Sequence, residues 1–595
     1  MVIVAVRQSL TSSICHRTHT LNRSQLYAAC TTVPNLHCSS KVANYATASK
    51  DVAVLGGGIT GLATALYISR QNPDTRISIY EARNNVGGWL QSRKVQVDDG
   101  EILFEAGPRT LRPAGNGILA ARLSHELGLD NDTIFTFNAS PAATNRFIYY
   151  PDQLVQVPHP RHGLFNVIKT LVSEPAFRSL TYRLPMEPAL HHRDYYLEDQ
   201  SIGDFLARRI GPKVVDRVVS AVFHGIYAGD VYQLSANSLI PTQWRDELAQ
   251  GSIMEGVVKS IFEGPEISER QLHFKKMMKE LPALPKETRD RYGRASVFTY
   301  RHGLQQLVEK LKDHLAANSN VEFLTNTQVT KLHKEQDGLL QISSLNSRQL
   351  SSDDDATTIA HHSHVVSALS PAHLASLVPN ASLAYNLKSI PAVTVMTVNL
   401  YYRTPYLHPP GFGYLIPLAT PMEQNPERAL GVVFDTSYSS DPGSEIDTKD
   451  MYGPHQDSVT PRGTKMTVML GGHYWSDWPG FPTEEEGLEM AKSLLRRHLG
   501  ITEDPAASAV NLQKDCIPQY TVGHEKRIRS IHQKLLDDYS GKLRIASNWA
   551  RGVGVNDCLR SAWDVAQELN YEYRTGLEAV VEDPKFERVK PRKKK

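Results

Sequence analysis

At 595 residues the chain exceeds one ordinary core, so two or three domains are expected. Apolar residues at 41% and charged residues at 22% exclude a disordered or fibrous protein, and a net charge of +2 excludes the strongly basic face of a nucleic-acid binder. Five cysteines (Cys15, Cys30, Cys38, Cys516, Cys558) with no C-x-x-C pair exclude a disulfide framework and the usual structural zinc site.

Residues 1–50 hold Arg7, Arg17, Arg23, Lys41 and Lys50, many Ser and Thr, and no Asp or Glu. That acid-free, Arg- and Ser-bearing character predicts a removable organellar transit peptide, with the mitochondrion favoured. Asp51–Leu55 reads as a short buried strand, followed by a glycine turn, a helix over Gly61–Arg70 and a strand over Arg76–Tyr80. From 115 to 290 the pattern turns helical, with segments Ile118–Leu127, Ile202–Arg209 and Pro212–Phe223, and 244–280 reads as a partly exposed helical layer. Val297–Tyr300, Val321–Leu324 and Val329–Leu332 are strand-like, and Leu304–Leu315 is a helix. Residues 343–363 read as a mobile polar surface insertion and 437–463 as a second polar insertion. Between them, Val365 to Phe434 is strand-rich. Thr467–Leu470 and Leu543–Ala546 are further strands, Glu485–His498 and Asn556–Leu569 helices, and Lys585–Lys595 a basic tail. The most apolar stretch, Ala392–Tyr402, alternates as a strand, and no uncharged apolar run reaches the roughly 18 residues of a membrane-spanning helix.

Gly56-Gly57-Gly58-Ile59-Thr60-Gly61 satisfies G-x-G-x-x-G between a strand and a helix. Gly56 permits the tight turn, Gly58 lets backbone N–H groups approach a pyrophosphate, and Gly61 lets the helix pack on the sheet. Glu81 lies 20 residues after Gly61, where a carboxylate accepts from ribose hydroxyls. This much allows NAD or FAD. Glu81 then begins the pattern E-x5-G-G-x3-S through Gly87, Gly88 and Ser92, which resembles the second glycine pair of amine-oxidase-type flavoproteins and favours FAD; Trp89 stands where that pattern usually has Arg.

Separated motifs in one order point further. Gly88-Trp89, Phe104-Glu105-Ala106-Gly107-Pro108-Arg109, Asn145-Arg146-Phe147 and Tyr227-Ala228-Gly229-Asp230 all resemble the protoporphyrinogen oxidase family. So do Gly411-Phe412-Gly413-Tyr414-Leu415-Ile416-Pro417, Met469-Leu470-Gly471-Gly472, Cys516-Ile517-Pro518-Gln519-Tyr520 and Gly552-Val553-Gly554-Val555-Asn556-Asp557-Cys558. The resemblance implies an oxygen-dependent oxidation of protoporphyrinogen IX to protoporphyrin IX, removing six electrons in three cycles of FAD with three hydrogen peroxide formed. It implies an α/β, mixed α+β fold: a Rossmann-like FAD-binding domain from three segments (51–115, 296–365 and 536–580). Inserted between them would be a helical membrane-associated domain carrying part of the substrate site (116–295) and a mixed-sheet substrate-binding domain (366–535), with 581–595 as the basic tail.

By the same resemblance, FAD is held by Gly56, Gly57, Gly58, Ile59, Thr60, Gly61, Glu81 and Ala82, and by Trp89 with Gly107, Pro108, Arg109 and Thr110. Val329 would touch the adenine end, and Asn548, Val553, Gly554 and Val555 the remaining flavin and ribityl chain. Arg146 would pair with a propionate of the substrate, Leu415 and Phe434 would lie against the ring faces, and Gly229 would approach it through backbone. His302, His473 and His524 are assigned no catalysis, no catalytic side chain is named, and no metal is expected. Implied partners are O2, ferrochelatase, a second copy of the chain and the inner mitochondrial membrane, met peripherally from the intermembrane space. The candidate contact is amphipathic Met254–Phe262. Two alternatives stay open: a flavin amine or desaturase-type oxidase, and a non-enzymatic prenyl-protein escort on a related fold.

Overall fold

The computed structural model describes residues 50–346, 357–439, 455–582 and 585–589. The expected transit peptide and most of the basic tail lie outside the described residues, as do Cys15, Cys30 and Cys38. Strands β1 (Asp51–Leu55), β2 (Arg76–Tyr80), β3 (Val321–Leu324), β4 (His364–Ser367) and β5 (Leu543–Ile545) form one parallel sheet in the order β3-β2-β1-β4-β5. That order is the one dinucleotide-binding folds share. The sequence of β1, Asp-Val-Ala-Val-Leu, suits its central place, because Val52 to Leu55 are buried on both faces of the sheet. Helix α1 (Ile59–Gln71) follows β1, and helix α2 (Val555–Gln567) follows β5. Helices α1 and α2 share one core that includes Ala63 and Ala65 of α1, and Tyr67 meets Trp563 edge to face at 5.1 Å. Helix α1 starts at Ile59, two residues earlier than the predicted helix, because Gly58 already has the extended conformation of an N-cap.

Between β3 and β4 runs an antiparallel sheet of Thr327–Lys334, Leu340–Asn346 and Thr357–His362. This corrects the reading of 343–363 as a mobile insertion. Leu340, Ile342 and Ser344 alternate inward, so Ser-rich composition hid a period of two, and only 347–356 lie outside the described residues. Likewise 455–463 is no polar excursion, since Gln456, Val459 and Thr460 are buried, Gln456 bonding Thr299 and Tyr300 and Val459 packing with Ile102, Phe104 and Tyr401, while 440–454 lie outside the described residues.

A seven-stranded sheet lies beside this half, in the order Ala507–Pro518, Ala392–Tyr402, Thr464–Gly471, Ala429–Val433, Gly413–Leu415, Phe147–Tyr149 and Leu154–Gln156. Sequence reading missed its two ends. Ala507–Pro518 is an edge strand, half-buried and bulged, so its alternation is weak. Phe147–Tyr149 and Leu154–Gln156 are three-residue strands inside an otherwise helical stretch. Helices Pro371–Leu377, Ala381–Lys388 and His524–Tyr539 were missed as well.

The helical layer of residues 202–263 is stapled by buried charge. Glu187 pairs with Arg209 and accepts from the N–H groups of Ile253 (3.0 Å) and Met254 (3.1 Å), capping helix Ile253–Glu263. Glu247 meets Arg193 (2.8 Å) and Arg208. Paired this way, charges that would each be costly alone hold four segments in register.

Candidate active site

The cradle is built from glycine backbones. A Cβ on Gly61 would sit 1.9 Å from the Gly56 carbonyl, and one on Gly107 would sit 2.1 Å from the Trp89 carbonyl. Gly87 N–H donates to Gly57 O at 2.9 Å, bringing the second glycine pair onto the first turn. Gly58 differs, because a Cβ there would meet nothing closer than the Gly88 Cα at 3.8 Å. The open space at Gly58 lies over the start of α1, which no side chain caps. Helix α2 differs, because the Asp557 carboxylate in its first turn accepts from the Gly554 N–H; Thr60 beside Cys558 brings the two starts together. The start of α1, whose first N–H groups no side chain takes, makes an anion site of the kind a pyrophosphate fills.

Glu81 ends β2 with its carboxylate fixed by Gly57 N–H (2.8 Å) and Arg83 N–H (2.9 Å), leaving lone pairs for ribose hydroxyls. Ala82 beside it is exposed. Ile59 and Val555 are core residues between the helices, so only their backbone faces the cradle. Val553 is half-buried, and Gly554 is exposed. Val329 is half-buried at a bulge and packs against the core under β4. Asn548 and Gly552 are clamped by Tyr520, whose hydroxyl donates to Asn548 O (2.7 Å) and accepts from Gly552 N (2.6 Å). Tyr520 was missed as a site residue, although its motif was legible.

Pro108, Arg109 and Thr110 are half-buried behind Trp89 and Gly107. Arg109 is a structural residue: its Nε lies 3.3 Å from Asp435 Oδ1. Asp435 also accepts from Tyr438 (2.5 Å) and Thr467 (2.5 Å), tying the Gly107–Thr110 segment to the seven-stranded sheet. The preceding Glu105 is enclosed, and burial pushes its carboxyl up to about 7.

Across that sheet the substrate candidates separate. Leu415 is half-buried and touches Gly225, at whose position a Cβ would lie 2.9 Å from it. Phe434, expected against the substrate, is instead fully enclosed, stacked on His408 at 4.1 Å and edge-on to Tyr414. It is core, because the carbon content that suits a ring face suits a sheet interior equally. Gly229 does permit a close approach, but the group that comes close is Gln519, whose Oε1 would lie 2.2 Å from a Cβ there. Arg146 precedes the strand Phe147–Tyr149, its guanidinium 5.1 Å from the Phe412 ring centre. Burial, then the neighbouring Arg112, hold its pKa down to about 10, and among the described residues no carboxylate pairs with it. Arg112 in turn is tied to α2, since Asn556 donates to its carbonyl at 2.9 Å. The arginine and the cradle are thus neighbours through one short segment.

His473 Nε2 lies 2.9 Å from His224 Nε2, and His224 Nδ1 2.7 Å from Ile416 O. Burial lowers His224 to about 3 and His473 to about 4, so both are neutral. His524 is stacked on Tyr520 at 4.2 Å and likewise lowered, to about 3, by burial. His302 sits in the turn before Gln306, to whose side chain its N–H donates at 3.2 Å.

The model of the family described as flavin-containing amine oxidoreductase matches residues 59–570. The protoporphyrinogen oxidase of Schizosaccharomyces pombe is 32% identical over 531 residues, covering 87% of this chain and 98% of its own. The chain belongs to the protoporphyrinogen oxidase family. Family membership makes FAD the cofactor, and the glycine cradle, the uncapped start of α1 and Glu81 fit it. The coproporphyrinogen III oxidase of Bacillus subtilis is 27% identical over 526 residues, with 86% of this chain and 96% of its own covered. A crystal structure from Exiguobacterium sp., titled as a protoporphyrinogen oxidase, superposes with a TM-score of 0.62 at 21% identity, covering 88% of this chain and 99% of that one. This shows the fold.

Proposed function

We propose that the chain oxidises protoporphyrinogen IX to protoporphyrin IX in the penultimate step of haem synthesis, passing six electrons in three rounds to three oxygen molecules. Arg146 carries the reading: a largely buried guanidinium, with no acid beside it among the described residues, stacked on Phe412 next to a flavin cradle. A buried unpaired cation is costly, and a substrate carboxylate removes that cost by bidentate pairing. FAD supplies the two-electron acceptor chemistry when bound. The chain's own residues bind, orient and shield. The N–H groups opening α1 hold the phosphates, Glu81 the ribose, and Arg146 anchors one edge of the macrocycle while Leu415 covers apolar ring surface. The neutral pair His224–His473 is a weak base, so no side chain is assigned the proton. The reading is tested by adding protoporphyrinogen IX to the purified protein in air: porphyrin fluorescence rising faster than autoxidation supports it, and a rise equal to the protein-free control refutes it.

The same reading places the protein peripherally on the inner mitochondrial membrane, facing the intermembrane space. No helix among the described residues is long and apolar enough to cross a membrane. Of the candidate Met254–Phe262, Val258 and Phe262 are exposed, while Gly256 is buried. Helix Leu164–Ser173 supports surface contact better, since Leu164, Phe165, Ile168 and Val172 are all exposed and none of its residues is buried. Phe165→Glu with Ile168→Glu should move the protein from the membrane pellet to the supernatant; a doubly substituted protein that still pellets overturns this placement.

A further inference from the structure

The backbone around Arg146 is held on both sides. Its own carbonyl accepts from Val157 N–H at 2.8 Å, and the carbonyl of Asn145 before it accepts from Phe412 N–H at 3.0 Å. Phe147 after it pairs with Tyr414 on one side and Gln156 on the other. What stays free is the long side chain. Among the described residues no group hydrogen-bonds to its guanidinium, and the Phe412 ring, 5.1 Å away, is the contact that lies along it. Phe412 belongs to the loop 410–412, and Asn145 grips that loop. Its Nδ2 donates to Pro410 O at 3.0 Å. Gly411 passes so close that a Cβ there would lie 2.9 Å from the Asn145 carbonyl and 2.7 Å from the Phe147 ring.

A carbonyl only accepts, so the nitrogen end of the Asn145 amide faces Pro410 and the oxygen end faces away from it. There Oδ1 takes two donors, Thr144 Oγ1 at 3.1 Å and His162 Nε2 at 3.2 Å. His162 closes the turn Pro160–His162, to which the chain returns beyond Val157, and its Nε2 carries a hydrogen to make that bond. The amide of Asn145 is thus fixed at both ends, and no other side chain of its length offers a donor and an acceptor together.

We propose that Asn145 and His162 are positioning residues for the substrate carboxylate: through the loop 410–412 they hold the Phe412 ring against Arg146 and so fix where its guanidinium meets the acid. The inference rests on the function proposed above and deepens it. Its physical ground is the fork geometry. A guanidinium pairs with a carboxylate bidentately only when its plane is aligned, and an arginine that must first be ordered binds more weakly. A ring alongside orders it without consuming its N–H groups. His162 fixes Asn145, Asn145 fixes the loop, and the loop places the ring.

The experiment uses the FAD-loaded protein, with steady-state oxidation of protoporphyrinogen IX beside binding of protoporphyrin IX and its dimethyl ester by fluorescence. Asn145→Leu keeps the volume and removes the amide, His162→Leu removes the donor, and His162→Gln returns an N–H at similar reach. Asn145→Leu is expected to raise KM and weaken the diacid about tenfold, and His162→Leu about threefold. Bound flavin, kcat and diester affinity should stay near the parent's, and His162→Gln should regain most of the loss. In an Arg146→Ala background neither substitution should weaken the diacid further, because both act through that residue. If Asn145→Leu does not fold, the two His162 variants decide alone. A parent that binds and oxidises the series, with His162→Leu binding the diacid as tightly as the parent, overturns this inference alone. So do equal losses for diacid and diester, or losses that add to that of Arg146→Ala, since each assigns the residues to general packing. A parent that neither binds nor oxidises the porphyrin series overturns the function beneath it.

Discussion

Gly58 and Gly61 lie in one turn, yet replacing each by Ala should fail in opposite ways. At Gly61 the new methyl would lie 1.9 Å from the Gly56 carbonyl, a distance no Cβ tolerates, so α1 must shift away from β1. Overpacking of that kind costs about 1–3 kcal/mol, and the apoprotein should melt lower. At Gly58 the backbone is extended (φ −72°, ψ 175°) and the nearest atom to a methyl is 3.8 Å away. Ala is a poorer N-cap than Gly by roughly 0.5–1 kcal/mol and gains about 0.4–1 kcal/mol from a stiffer unfolded chain, so apoprotein stability should hardly move. The methyl would instead fill the space through which N–H groups reach a phosphate. Losing one charge-assisted hydrogen bond weakens binding by about 1.5–3 kcal/mol, roughly ten- to hundredfold. The assay is the flavin released on denaturation, per mole of protein, beside a thermal melt of the flavin-free form. Gly58→Ala protein that retains a full complement of flavin would refute the cradle.

Arg146→Ala should raise KM by about thirtyfold or more while bound flavin stays near one per chain, a split read from steady-state kinetics and released flavin together. Asp435→Ala leaves the Arg109 guanidinium buried without its acid and should destabilise by about 3–5 kcal/mol; a melting curve matching the parent's would contradict the tie between the Gly107–Thr110 segment and the sheet. His224 has a folded pKa near 3 against 6.5 unfolded, because burial and then His473 disfavour its charge. The unfolded chain therefore binds more protons between those values, so this contribution is complete above pH 6.5 and is lost as pH falls toward 3, by about 1.4 kcal/mol per unit. His224→Gln should flatten the urea midpoint's fall between pH 6.5 and 5, and an unaltered slope would count against it.

The nucleotide half was legible because its determinants are local: an apolar strand, glycines at fixed spacing and an acid at the next strand end. Residues Asp51–Leu55, Arg76–Tyr80 and Val321–Leu324 were readable to the residue. The substrate half was less so, because its determinants are non-local. Nothing near Phe147 announces that it pairs with Tyr414, and a three-residue strand carries too little alternation to stand out. Phe434 shows a second limit: burial against substrate and burial in a sheet ask for the same side chain. Arg146 was named only by resemblance, since the lack of an acid around it is a tertiary fact. The basic Pro158–His162 turn was visible in the sequence, but only the hairpin shows that it returns alongside Arg146.

The central claim is that this flavin cradle serves a porphyrinogen, and an oxygen-limited titration tests it most directly. Protein and excess protoporphyrinogen IX are mixed without oxygen, oxygen is then added in measured amounts, and porphyrin and peroxide are counted. The account predicts enzyme-dependent porphyrin with about three peroxides per porphyrin, matching the six electrons removed. Peroxide formed with no porphyrin, or porphyrin formed no faster than in the protein-free mixture, would contradict it.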